Sequence, residues 1–375
     1  MKKILFLLIV FLQIFNAKAE DRIMKSLPLT LDLKAFNQDA LYQGQKQFYP
    51  SLSAEPEYSI HKNNDKEIFR FKGWLRYDQV DKKSTYGDIR ELSYTKIFSN
   101  NTELTGGISK VFWGKTESVH LADIINQNDE VEPGRAYAKM GQPLLSIGNK
   151  NSLGNFKYLV MPYFRERNFR GKKGRPWLGV AENNSIYESS QGQRHIDHAF
   201  RYNNNFKNLD FAFSHFYGTS REPNFNITLN QDKTISSFTP YYQIINQTAL
   251  EAQYTKDEIL LKAEAIRRHS NSEIFYATTY GIEYSFFDVA SKGYDLGILL
   301  EHTKDNRNTA KSPITIFQND VFLGTRLNLN DIEGTEMLAG IYHDNQYQTK
   351  MYSFEFKRRL NEKLKLEIFA NINLN

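Results

Sequence analysis

The groups in this chain able to shuttle protons, ligate metals or attack a substrate are scattered along it. Eight histidines lie among 43 acidic residues. His195 and His198 are three apart in a stretch that alternates like a strand, which places them on opposite faces and not around one ion. His215-Phe216-Tyr217-Gly218-Thr219-Ser220 lacks the Gly-x-Ser-x-Gly spacing of a nucleophile elbow, and neither HExxH nor a P-loop occurs. The absence of cysteine removes thiol nucleophiles, thiolate metal sites and disulfides together. The pattern points away from an enzyme and implies no metal and no cofactor.

The chemistry left to the chain is electrostatic, and it concentrates in two segments. The first, 114–142, follows Trp113 and carries Lys115, Glu117, His120, Asp123, Asp129, Glu130, Glu132 and Arg135, with Leu121, Ile124 and Ile125 at i, i+3 and i+4 suggesting a short helical piece. A connection of about 30 residues is functional or disordered. If it folds into a pore, its charges opposite wall bases set bore and field, so Lys115, Glu117, His120, Asp123 and Arg135 become constriction candidates. The alternative is a solvated loop on a rim. The second segment opens with Arg165-Glu166-Arg167 and continues through Arg170, Lys172, Lys173 and Arg175. Guanidinium forks suit phosphate, so Arg165, Arg167, Arg170, Lys172 and Lys173 are candidates for binding anions or lipopolysaccharide, and simple solvation is the plainer reading.

The elements that must position these groups are strands. Leu27, Leu29, Leu31, Leu33 and Ala35 alternate with Pro28, Thr30, Asp32 and Lys34; Leu364, Leu366, Ile368, Ala370 and Ile372 alternate with Lys363, Lys365, Glu367, Phe369 and Asn371. A period of two with one apolar and one wet face is the signature of a strand in a transmembrane barrel. The pattern predicts seventeen strands near 27–36, 49–61, 67–78, 88–98, 102–113, 143–149, 154–164, 194–205, 208–218, 246–255, 258–269, 276–287, 293–303, 319–330, 335–344, 348–360 and 363–373. Short polar turns such as Lys207-Asn208 and Lys256-Asp257 alternate with connections that are usually longer, as periplasmic turns and extracellular loops do. The inward parity carries both signs: Asp32, Lys34, Arg70, Lys72, Arg76, Lys262, Glu264, Glu301, Arg326, Glu355, Lys357 and Glu367. Of these, Lys72, Arg76, Lys262, Glu264 and Arg326 are taken as lumen-wall charges, and the mixed wall implies a hydrated interior.

Composition agrees. Mean hydropathy is −0.57 and no run approaches 18 apolar residues, which excludes helical membrane proteins but not barrels, whose strands average apolar with polar positions. Aromatics at 14% are enough to furnish two interfacial girdles. At the start, Lys2 and Lys3 precede an apolar run from Ile4 to Phe15 and Ala17-Lys18-Ala19, the make-up of a signal peptide over 1–19. Its removal takes away three lysines and lowers the formal charge from +5 to +2, which gives nucleic acid no electrostatic hold. Residues 20–26 are then a periplasmic lead-in, and 27–375 the barrel.

Five stretches resemble a family of uncharacterised, porin-like proteobacterial outer-membrane barrels. They are Val111 to Gln127 (VFWGKTESVHLADIINQ), Gly141-Gln142-Pro143-Leu144, Pro162 to Gly171 (PYFRERNFRG), Tyr217 to Pro223 (YGTSREP) and Leu250 to Thr255 (LEAQYT), in this order. The similarity runs over nearly all of the chain after residue 19. It implies an antiparallel up-and-down barrel of about 16–18 strands in a Gram-negative outer membrane, inserted by the barrel assembly machinery among lipopolysaccharide, and brings no established activity. Related barrels continue past Ile368-Phe369-Ala370-Asn371-Ile372 with a further strand and an aromatic terminus, so a closing strand is expected to be missing here. The functional expectation is a porin-like channel or solute-binding barrel for small molecules. The alternatives are a structural or adhesive barrel and, less favoured, an outer-membrane hydrolase.

Overall fold

A computed structural model describes residues 21–132, 138–177 and 179–374, so the expected leader 1–19 and Arg135 lie outside the described residues. The described residues form strands joined by turns and loops, with two three-residue 3-10 turns at Lys82–Ser84 and Gly192–Arg194. In order these strands are β1 (Arg22–Ser26), β2 (Leu29–Ala35), β3 (Phe48–Ala54), β4 (Glu57–Lys62), β5 (Glu67–Asp78), β6 (Tyr86–Ile97), β7 (Thr102–Ser109), β8 (Gln142–Asn151), β9 (Gly154–Met161), β10 (Ala181–Glu182), β11 (Ile186–Tyr187), β12 (Asp197–Phe206), β13 (Leu209–Thr219), β14 (Asn224–Leu229), β15 (Ile235–Tyr242), β16 (Ile244–Lys256), β17 (Ile259–Ser270), β18 (Ile274–Val289), β19 (Tyr294–Asp305), β20 (Asn319–Asn328), β21 (Glu336–Asp344), β22 (Lys350–Arg359) and β23 (Lys365–Leu374).

Nineteen of these join one antiparallel sheet that runs from the first hairpin to β23. β1 and β2 are two halves of one barrel strand, and so are β3 and β4: β1 pairs with β4 and β2 with β3. The breaks fall at Pro28 and Pro56, which lack the N–H a ladder needs. Opposite Pro56, β5 absorbs the irregularity with a register shift between Lys72 and Gly73. Every expected strand position is occupied. The sequence reading starts the first at Leu27 after a lead-in, whereas Arg22–Ser26 is itself paired strand.

Parity is as the alternation requires. On β2, Leu29, Leu31 and Leu33 are exposed while the residues between them are half-buried. On β18, Tyr276, Tyr280, Ile282 and Tyr284 face outward, and Phe275, Ala277, Thr279 and Glu283 are buried inside. This is a transmembrane barrel: outward apolar side chains meet lipid and the inward set meets protein or water. The short turns at one end hold residues at positive φ, among them Asn63, Asn64, Asn101, Lys207 and Asp257, the backbone that tight hairpin turns demand. β2 and β23 both run toward the long-loop end, and no ladder joins them among the described residues.

Above that end sits a second, smaller sheet that alternation alone does not predict. β15 is its centre, antiparallel to β14 and parallel to β10 and β11. Its aromatic core joins Phe169 to Phe238 (5.5 Å) and Phe164 to Tyr242 (4.8 Å).

Candidate functional site: the loop inside the barrel

In the connection from β7 to β8, residues 110–141, the described parts 110–132 and 138–141 turn back into the barrel. They touch the inner wall at β5, where Glu132 meets Arg76 at 2.7 Å, and at β20, where Glu117 meets Arg326 at 2.6 Å. One loop reaching strands this far apart in the sheet requires the sheet to be curled around it.

Two forces hold it there. The apolar residues Leu121, Ala122, Ile124 and Ile125 pack on an inward patch made by Leu144, Leu159, Met161, Ala199, Phe216, Ile245, Ala249, Ile266, Phe275 and Ala277. Ile125 is fully buried. Burying an isoleucine is worth about 1.5–3 kcal/mol, while ordering backbone costs about 1–2 kcal/mol per residue, so two isoleucines alone cannot fix a stretch of this length.

The second force is a pair of wall carboxylates. Glu264 on β17, 1% exposed, accepts hydrogen bonds from the backbone N–H of Lys115 (2.6 Å), Thr116 (3.0 Å) and Ala122 (3.0 Å) and from the Thr116 hydroxyl (2.8 Å). Glu301 on β19 takes the N–H of Glu117 (2.8 Å) and Ser118 (2.7 Å) and the Ser118 hydroxyl (2.6 Å). The loop is irregular here, so its amides have no helical partners and would be orphaned without these acids. Hydrogen bonds to a charged acceptor contribute about 1.5–3 kcal/mol each. The expected short helix at 121–126 does not form: its apolar spacing serves wall packing, the Ala122 N–H goes to Glu264, and the Asp123 N–H goes to the His120 carbonyl.

The neck of the loop is stapled by Asn126, which donates to the Ser109 and Met140 carbonyls (both 2.8 Å) and accepts from the Val111 N–H. At the return, a methyl on Gly141 would come within 2.3 Å of the Arg90 carbonyl oxygen, which only glycine avoids. Arg90 itself pairs with Asp129 of the loop. Trp113 lies under the Arg201 guanidinium, 5.1 Å away, and Arg201 pairs with Glu251.

The constriction candidates are thus partly gathered. Glu117 bridges Arg326 and, at 3.9 Å, Lys262, with Glu283 beside both bases. His120 lies 3.9 Å from Glu264 and edge-on to Phe112. Lys115 contributes its backbone to Glu264. Asp123 is turned away from the bore: burial pushes its carboxyl above the ordinary range, against the pull of Lys139 at 3.1 Å.

The wall candidates fall into two sets. Lys262 and Arg326 do face the loop charges, but Arg76 and Glu264 are sealed beneath the loop as anchors, and Lys72 is neutralised by Glu55 (2.8 Å) and Glu57 (2.6 Å). Glu301, already on the inward parity, proves to be a second anchor, and Glu283, which shares that parity, joins the charges facing the loop. Asp32 with Lys34 on β2 and Glu355 with Lys357 on β22 are ion pairs that remain half-exposed.

The rim candidates divide. Arg165 donates to Gly141 O (2.7 Å) and Asp88 (2.6 Å); Arg167 to Gln127 (3.2 Å) and the Arg221 carbonyl (2.9 Å), with Glu130 at 3.1 Å. Arg170 is buried against the Arg175 and Pro176 carbonyls, and burial pulls its pKa down to about 10. These arginines bind the protein's own loops. Lys172 and Lys173 are exposed. Arg221, which the charge runs did not mark, is the central tie: it bonds Asp197 (2.6 Å) and the Ile125 carbonyl (3.0 Å), joining the cap to the inward loop.

No known family model matches the chain, and no curated protein matches it in sequence. Several solved outer-membrane barrels are similar in structure. Wzi of Escherichia coli, described as a carbohydrate-binding β-barrel involved in group 1 capsule assembly, aligns over 98% of this chain and 84% of its own at a TM-score of 0.51 and 8% identity. A mutant porin of Rh. blastica aligns over 94% of both chains at 0.46 and 12%, and OprB of Pseudomonas putida over 94% of this chain and 93% of its own at 0.43 and 8%. At these identities the likeness is one of fold, and the fold is the outer-membrane β-barrel.

Proposed function

We propose that this chain is a porin-like outer-membrane protein that passes small solutes by diffusion, and that the loop 110–141 sets its bore. The observation that carries the reading is the capture of loop amides 115–122 by Glu264 and Glu301: two acids buried in the wall serve to keep a long loop inside the lumen. Such a loop narrows the cross-section and presents Glu117 opposite Arg326 and Lys262, a mixed field suited to neutral or weakly charged solutes. The role is non-catalytic. On this reading Lys172 and Lys173, which are exposed, would meet lipopolysaccharide phosphates, while the neighbouring arginines act within the loops.

Purified protein inserted in planar bilayers tests this. Stepwise, ohmic conductance with weak ion selectivity is expected. Insertion without conductance steps would reject a channel.

A further inference from the structure

We propose that the extracellular cap carries a binding cleft for a neutral oligosaccharide. The cleft lies between the β14–β15 hairpin, Trp177 of the 162–196 loop, the β17–β18 turn at Ser272 and residues 309–314, and has a volume of about 790 Å³. Small-ligand sites span about 300–1,000 Å³.

Its wall is built. Trp177 stacks on Phe169 (5.2 Å) and meets Phe238 edge-on (5.3 Å), which fixes the indole at the cleft. Phe225 closes the same aromatic group against Phe238 at 5.5 Å. On the polar side, Asn224 donates to Gln243 (3.1 Å), and Gln243 donates to Ser272, so the amides are held by one another.

The lining chooses among ligand classes. Lys311 is its one charged residue and no carboxylate lines it among the described residues, so a cation has no partner and an anion has a single, flexible one. A wholly apolar ligand would cover polar groups that have nothing else to bond. Asn226 and Thr309, both exposed, form no side-chain hydrogen bond among the described residues, and the buried indole N–H of Trp177 has no acceptor among them either. Covering the solvated Asn226 or Thr309 unpaired costs about 1–3 kcal/mol each. A pyranose meets both demands. Its C–H face packs on aromatic rings, and its hydroxyls both donate and accept, as the amide of Asn226 and the hydroxyl of Thr309 require. The cleft is formed by the loops, so sugar binding stands apart from whether the lumen conducts.

The test uses the full chain in detergent, titrated with maltohexaose, cellohexaose and chitohexaose while tryptophan fluorescence is followed. At least one sugar is expected to give a saturable change that Trp177→Phe abolishes, since the other tryptophans, Trp74 and Trp113, lie in the barrel. Asn226→Ala, at an exposed position that leaves the reporter in place, should raise the half-saturating concentration about tenfold. No saturable change with any of the three sugars would overturn the proposal. So would a response that both variants keep, or an apolar dye that occupies the cleft and that none of the sugars displaces.

Discussion

Glu117 is the residue at which the loop's charge meets the wall's. Its carboxylate is 30% exposed and lies between Arg326 and Lys262, so it both cancels two bases and faces the solvent that ions would cross. Glu117→Gln removes the negative charge and leaves Arg326 and Lys262 uncompensated except by Glu283. Reversal potentials under a salt gradient should then move toward anion selectivity, and an unchanged potential would take Glu117 out of the conduction path. The anchors predict something different. Replacing Glu264 and Glu301 together by Gln exchanges ionised acceptors for amides whose NH₂ groups confront loop N–H donors. With about 1.5–3 kcal/mol at stake in each charge-assisted bond, the segment 115–122 should come free. Noisier open-channel current and protease cleavage within 110–141 are expected; a quiet channel with an intact loop would show that apolar packing holds it unaided.

At the scale of elements, the strands were legible and their partners across the lumen were not. Period-two alternation reports which side chains share a face, so Leu29, Leu31 and Leu33 announce a lipid face without any knowledge of the fold. It cannot report that Glu264 will receive the N–H of Thr116, because that contact joins residues 148 apart and depends on how the sheet curls. The same ignorance made Leu121, Ile124 and Ile125 read as a helix, since helical spacing and wall packing place apolar groups alike. β10, β11, β14 and β15 escaped notice because two are only two residues long and all lie in loops where polar and aromatic residues mix. Burial alone would raise the Glu222 carboxyl, but Arg268, Arg307 and Arg167 hold it well below the ordinary carboxylate range. A depressed folded pKa means stability present above the unfolded value of about 4.3 and lost only as pH falls through the lower folded one. Hydrogen exchange in 220–243 should therefore stay slow at pH 4. Glu222→Gln should speed it at pH 7 by roughly fivefold, about 1 kcal/mol for ion pairs at this partial exposure. Early loss of protection in the parent protein at pH 4 would contradict the assignment.

For the molecule as a whole, the barrel wall, the inward loop and the cap form one connected structure. Arg221 ties the cap to the loop through the Ile125 carbonyl, and the loop is tied to the wall by Glu264, Glu301 and Arg76. Solutes entering from outside would meet the cap first and the loop next. On the proposed reading, the loop occupies cross-section that water and ions would otherwise fill. The decisive measurement is the single-channel conductance of the protein lacking residues 121–132, compared with the parent in the same bilayers. The deletion removes Ala122, Ile124 and Ile125 from the wall patch and Glu132 from Arg76, and leaves the strands and their ladders in place. Conductance should rise. Equal conductance for the two proteins would mean that the loop does not limit the pore.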